Sequence, residues 1–263
     1  MTKPFTVCML LYGHYTREAD RLLCSLMRPA WLPSFDLRIG LNDVNDDTVE
    51  VVRWLRAESR APGVSIHQFV GEPPYHKYPL MRRMFWEEDP IQTPYTMWFD
   101  DDSWVKDDAP AHWFDMVETV IQQAAMIGDV WEMGYTGNER EFIEDQPWYR
   151  NRPHQSRFRF CTGGWWTIRT DILQQHNWPP PELQHDGGDT MLGALCHQQQ
   201  YAVKHFDKHV CINADEKGRR SRGPRRGASG KTSRYGANYV RPTIPAGGPQ
   251  PASSWMDVLD GKA

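Results

Sequence analysis

The sequence predicts a doubly wound α/β domain, and three observations predict it. Residues 5–12 are a continuous apolar run closed by Gly13, the pattern of a strand buried on both faces. Helix-type and strand-type periodicity then alternate through residue 70, as in successive β-α-β units. Finally, the aromatic run Tyr95-Thr96-Met97-Trp98-Phe99 feeds into Asp100-Asp101-Asp102. A strand interior does not hold three like charges, because each unpaired carboxylate costs several kcal/mol to desolvate. The strand therefore ends at Phe99, with the acids at its C-terminal mouth, where sheets of this class bind ligands.

Thr16 is placed to cap a helix to about Met27, with Ala19, Leu22, Leu23 and Leu26 on one face. Residues 35–41 make the second strand, ending at Asn42 and Asp43. Asp46 and Asp47 open a helix carrying Val49, Val52 and Leu55, and residues 64–70 make the third strand. A loop over 71–79 leads to a helix over 80–86. Lys77, Arg82 and Arg83 near its start suit either a phosphate or acidic-rim contact or a solvated basic face. A helix over 109–127 and a strand over 130–135 follow. The polar, aromatic, proline-broken stretch 138–157 has the composition of a lid or excursion over a site.

Gly163-Gly164 ahead of Trp165-Trp166 predicts a turn where backbone comes close to a ligand beside aromatic platforms. A short helix over 171–176 and the connector Pro179-Pro180-Pro181 precede His185-Asp186-Gly187-Gly188-Asp189, which opens a helix carrying Leu192, Leu195 and Cys196. Residues 201–206 and 210–213 are the last strand candidates. The predicted domain spans 1–215. Residues 216–263 form an arm that is Arg/Gly-rich and then Pro/Gly-rich, with irregular structure.

At 263 residues with 40% hydrophobic and 24% charged residues, the chain is an ordinary globular protein in all but its twelve tryptophans. Such a surplus serves core packing or stacking on flat ligands such as bases and sugars. The net charge of −4 conceals eight cations and no acid in 217–234, so the remainder carries −12 (−4 less 8). An acidic body with a basic arm suits a polyanionic partner or a phosphate clamp. Five scattered cysteines without CxxC spacing indicate neither a zinc site nor a disulfide framework. The apolar N-terminal run is too short for a signal peptide or membrane span, so a cytoplasmic setting and no membrane contact are expected.

Carboxylate oxygens are what hard cations such as Mg²⁺ or Mn²⁺ prefer, so the triple Asp is either a metal site or a solvated acidic turn. If the turn stays extended, alternate side chains share a direction. On the metal reading, Asp102 and Asp100 share a direction, with Asp102 taken as the direct ligand and Asp100 as a second contact.

Phe99-Asp100-Asp101-Asp102-Ser103-Trp104-Val105, Cys161-Thr162-Gly163-Gly164-Trp165-Trp166 and Gly188-Asp189 with Gly193 occur in an order that resembles the GT-A class of nucleotide-sugar glycosyltransferases. Within that class the pattern is similar to the family 2 and fringe-like groups. The resemblance spans residues 5–213. Gly188 stands where the usual pair has its first acid, and no third metal ligand is evident.

The resemblance implies a mixed sheet flanked by helices, a UDP-sugar co-substrate and bound Mn²⁺ or Mg²⁺. Donor contacts would come from Asn42, Asp43, Lys77, Arg82, Arg83, Asp100, Asp101, Gly163 and Gly164. A histidine late in the fold, His209 or His205, would complete the metal with Asp102 and Asp100, unless both are structural. Inverting transfer needs a general base, Asp189 first and Asp186 second, although either could serve instead as a helix cap. A helix N-terminus would lower the pKa of such a carboxylate.

Acceptor residues would be Trp148, Tyr149, Trp165 and Trp166 for stacking, with Arg219, Arg220 and Arg222 for phosphates. The leading expectation is a bacteriophage enzyme that glycosylates 5-hydroxymethylated pyrimidine, such as hydroxymethylcytosine, in DNA. The alternatives are a bacterial transferase acting on an envelope glycan and a non-catalytic nucleic-acid-binding module.

Overall fold

Strand β1 (Phe5–Tyr12) lies inside the sheet, paired in parallel with β2 (Phe35–Asn42) on one side and β4 (Tyr95–Asp100) on the other. β3 (Ile66–Val70) extends the parallel half beyond β2. Beyond β4 comes β7 (Phe158–Arg169), antiparallel to it, then β6 (Met126–Met133) and β8 (Val203–His205). The order is β3-β2-β1-β4-β7-β6-β8, and β5 (Trp104–Val105) with β9 (Val210–Cys211) forms a separate two-stranded ribbon. This computed structural model describes residues 3–13, 15–31, 34–58, 66–72, 76–134, 142–151, 157–184 and 187–212. The proposed boundary at 215/216 and the basic arm with Arg219, Arg220 and Arg222 lie outside the described residues.

The described residues include the helices α1 (Thr16–Leu26), α2 (Asp46–Glu58), α3 (Lys77–Arg82), α4 (Trp113–Ile121), α5 (Thr170–Gln175) and α6 (Gly188–Gln199), with a π-turn over Arg83–Glu87 continuing α3. Ala19, Leu22, Leu23 and Leu26 are buried as their spacing predicts. Thr16 does not cap α1. Its hydroxyl bonds Asn45 and Thr48, and Asn45 caps α2 by accepting the Thr48 N–H at 3.2 Å. α3 begins three residues before the expected start because Pro79 falls in its first turn, where a missing N–H costs nothing.

The core has two halves, one on each sheet face, and most of the tryptophans described are built into them. Trp98 stacks on Trp166 (centroids 6.1 Å apart, planes 16° apart) on one face, while Trp31, Trp113 and Trp165 pack on the other. Removing one such ring costs about 3–5 kcal/mol. The lid expected over 138–157 is not seen in the described residues 142–151. Phe142, Ile143 and Trp148 are buried in the core, and Arg150 N–H donates to Gln198 Oε1 on α6.

His176, at the end of α5, places Nε2 3.0 Å from the Tyr201 hydroxyl. Burial, aided by the Arg150 charge, lowers its pKa from 6.5 to about 4. The unfolded chain therefore takes up a proton that the folded chain refuses. The contribution of His176 is complete above pH 6.5 and is lost as pH falls from 6.5 toward 4. Replacing His176 with Gln should flatten that part of the stability curve, read by urea unfolding at about pH 7.5 and about pH 5. An equal loss in both proteins would refute the assignment.

Candidate active site

The C-terminal ends of the parallel strands make one rim. Register places Tyr12 beside Asn42 and Leu10 beside Asp100, so the ends of β1, β2 and β4 lie together. β4 ends at Asp100, and the Ser103 N–H closes a turn on the Asp100 carbonyl at 3.0 Å. The acids thus sit at the strand mouth, as their cost of burial requires, although Asp101 is itself buried at 1% exposure.

Asp100 is held from two sides. Lys77 Nζ lies 2.7 Å from Oδ1 and 2.9 Å from Oδ2, and the Trp98 indole N–H donates to Oδ1 at 2.8 Å. The ammonium also lies 5.3 Å from the Trp98 ring centroid. Burial acts against the charge on Lys77, but Asp100 and, further off, Asp189 outweigh it and hold the ammonium above its ordinary range.

Gly163 marks the centre. A methyl group at its α-carbon would stand 3.7 Å from each of Asp100 Oδ2, Asp189 Oδ2 and Lys77 Nζ. Elements remote in sequence, namely β4, α3, β7 and the start of α6, therefore bring two carboxylates, an ammonium and bare backbone to one point. Gly163 and Gly164 are part of β7 and do not form a turn between elements. Gly128 pairs with Trp166 while Val130 pairs with Cys161, so two steps along β6 answer five along β7. The three extra residues form a bulge at the glycines, a device that re-aims a strand beside a site. Below it, Trp165 and Trp166 return to the ladder opposite Phe99 and Trp98.

Asp189 lies in the first turn of α6, where its own N–H and that of Thr190 donate to its carboxylate. The expectation of a lowered pKa is overturned. Burial pushes the carboxyl above its ordinary range, and this outweighs Lys77 and the backbone donors. The departure at Gly188 also has a cause: a methyl there would stand 2.1 Å from Tyr78 Cζ, so the Tyr78 ring fills the space. The buried Tyr78 hydroxyl accepts a backbone hydrogen bond from Gly188, and the Tyr78 N–H reaches the Gln184 carbonyl at 3.1 Å.

Other expected site residues lie elsewhere. Trp148, Trp165 and Trp166 are 2% exposed or less, so their rings are committed to the core and offer no stacking face. Tyr149 is half-buried against the half of the core that holds Trp148 and Trp166. Arg82 binds Glu87, Asn177 and the Pro179 carbonyl, and Arg83 binds Glu88 and the Val70 carbonyl, so neither guanidinium is directed to the acids. Asn42 is buried against Gly71, and Asp43 takes a left-handed conformation (φ 58°) at the rim. Asp186 lies outside the described residues.

No three His, Cys, Asp or Glu side chains gather closely enough to hold a metal among the described residues. Asp100, Asp102 and His209 are therefore not a ready-made ligand set. His209 Nδ1 faces Asp108 at 3.2 Å, and His205 Nδ1 accepts the Val130 N–H. The donor chemistry still fits Mg²⁺ or Mn²⁺ in the way those ions usually bind, through one or two carboxylates completed by substrate phosphates. Asp102, half-buried on the turn, and Asp100 are the carboxylates available. A cavity of about 520 Å³ lined by Tyr95, Arg169 and Asp171 lies at the opposite end of β4, away from this chemistry.

The acid-tipped β4, the antiparallel β7 beside it and the seven-stranded mixed sheet with helices on both faces define the GT-A glycosyltransferase fold. Among solved structures, the chain is similar to the mannosyltransferase PcManGT from Pyrobaculum calidifontis in complex with GDP-Man and Mn²⁺. The TM-score is 0.51 and the identity 12%, over 82% of this chain and 58% of that one. S. aureus TarS 1-349 aligns with a TM-score of 0.46 and 14% identity, over 79% of this chain and 58% of that one. The chain thus spans little more than half the length of these proteins. No protein-family model matches it, and no curated protein does. No helix among the described residues is long and apolar enough to cross a membrane.

Proposed function

We propose that the chain transfers a sugar from a nucleotide-diphosphate sugar to an acceptor hydroxyl at this rim, with inversion. The observation that carries the proposal is the convergence of Lys77, Asp100 and Asp189 on the bare backbone of Gly163. Asp189 takes the acceptor proton as the acceptor oxygen bonds to the anomeric carbon. The bond from that carbon to the diphosphate breaks, and the electron pair leaves with the phosphate. A carboxyl raised above its ordinary range by burial is a stronger base than a solvated aspartate. Lys77 places a fixed positive charge beside the diphosphate, anchored through Asp100. Gly163 leaves room for the sugar.

Asp102, with Asp100, would hold Mn²⁺ or Mg²⁺ against the donor phosphates, and the ion when bound supplies Lewis-acid stabilisation of the leaving group. The mannosyltransferase with the same fold is seen with GDP-Man and Mn²⁺, which supports the donor class. Uridine is the base that the sequence resemblance implies, with Asp43 at the rim to contact it, while Asn42, buried against Gly71, supports that rim from behind. A DNA acceptor, in a phage enzyme working in the cytoplasm, is supported by the basic segment 217–234 alone. The rim itself supports a glycan acceptor, because Trp131 presents an exposed indole there.

Calorimetry tests the donor site. UDP should bind more tightly with Mn²⁺ than with a chelator, and Asp102→Ala should remove that difference. If UDP and GDP both fail to bind with Mn²⁺ present, the proposal is wrong.

A further inference from the structure

Among the described tryptophans, Trp54 and Trp131 are exposed, at 64% and 60%, and only Trp131 stands on the candidate rim. It lies in the part of β6 beyond the bulge, opposite Phe160. Residues directly opposed in an antiparallel pair share a face. Phe160 packs its β-carbon against Gly193 of α6, so Trp131 stands on the side of the sheet that carries α6 and Asp189.

The ring is also fixed. Its indole N–H donates to Asp129 Oδ2 at 2.8 Å, and Thr162 Oγ1 lies 3.5 Å from the same oxygen. Thr162 precedes Gly163, which joins Trp131 to the acids through three short links. Along the strand, Phe160 is three residues from Gly163, or about 10 Å at the usual rise.

We propose that Trp131, Asp129 and Thr162 form an acceptor subsite for a neutral carbohydrate, with one sugar ring lying on the indole face and its hydroxyls bound at Asp129 and Thr162. The inference rests on the glycosyltransferase reading and names its acceptor class. A large aromatic ring left in water, but held in one orientation by a carboxylate, offers an apolar platform at little entropic cost. The charge around it chooses between sugar and nucleic acid. Asp129 stands beside Trp131 and Asp207 lies at the same edge, with the His205 ring between them (3.9 Å and 3.4 Å), while on the other face of β6 Glu132 holds the cation Arg159 at 3.0 Å. Carboxylates accept hydrogen bonds from sugar hydroxyls, whereas a phosphodiester would meet like charge.

The test uses the full chain on an array of neutral oligosaccharides, acidic oligosaccharides and hydroxymethylcytosine DNA, with UDP affinity measured separately by calorimetry. The wild-type chain should bind a subset of the neutral glycans. Trp131→Ala should weaken that binding at least tenfold, about 1.4 kcal/mol, Trp131→Phe should retain part of it, and Trp54→Ala should leave it unchanged. The inference is overturned if no neutral glycan binds, if only DNA or acidic glycans bind, or if Trp131→Ala binds as wild type does. Should glycan binding depend on Trp131 while neither UDP nor GDP binds, the subsite stands and the transferase reading falls.

Discussion

Asp189→Asn is expected to lower sugar transfer between about a hundredfold and ten-thousandfold, the range that a positioned general base contributes. Asparagine keeps the size and the polarity of the group but cannot take the proton. Donor affinity should persist, because Lys77 and Asp100 hold each other without Asp189. The pH profile gives an independent measure. A base must be ionised to act, so activity rises as pH passes its pKa. Burial sets that pKa above the ordinary aspartate value of 3.8, so the acidic limb of kcat/KM should sit above it. In the variant that limb should disappear from whatever activity is left. Turnover close to wild type would remove Asp189 from the reaction altogether.

Gly193→Ala should be strongly destabilising. A β-carbon there would lie 2.3 Å from Phe160 Cβ and 2.7 Å from the Arg159 carbonyl oxygen. Neither is the tip of a flexible side chain, so α6 must move off β7. Overpacking on this scale costs about 3 kcal/mol, which is about 6–12 °C in melting temperature for a domain of this size. Gly134→Ala is the control, since nothing lies within 4 Å of a β-carbon there. Equal melting temperatures for the two variants would show that α6 is free to shift.

The parallel half of the sheet was legible because its central strands carry apolar runs that end at a polar residue or glycine. Phe5–Tyr12, Phe35–Asn42 and Tyr95–Asp100 all read that way and formed as read. Several errors shared one cause: local chemistry stood in for the pairing partner. Gly163-Gly164 reads as a turn when only the chain is seen, because a bulge is defined by the opposite strand. Residues 126–127 read as the end of a helix, yet Met126 and Ile127 pair with Ile168 and Thr167 as the start of β6.

Tryptophan was harder still. Trp165, Trp166 and Trp148 flank polar residues and glycines, and nothing in their neighbours distinguishes a buried indole from an exposed one. Trp131 lies in a predicted strand, where the sequence alone does not tell its exposed indole from a buried one. Among the site residues, Lys77 and Asp189 were readable as types at helix starts. Their meeting at Gly163 was not, because it depends on Tyr78 occupying the space beside Gly188.

The bulge in β7 has a bearing on how this protein tolerates change. The strand runs unbroken from the exposed rim at Arg159 to the aromatic core at Trp165 and Trp166. In an uninterrupted ladder, any slip at the rim would turn every core side chain to the wrong face. Three unpaired residues at the glycines act as a slack link between the two halves. Sequence drift that reshapes the rim is absorbed there, while the tryptophans below keep their places opposite β4. One strand can thus carry a conservative interior and an adaptable edge.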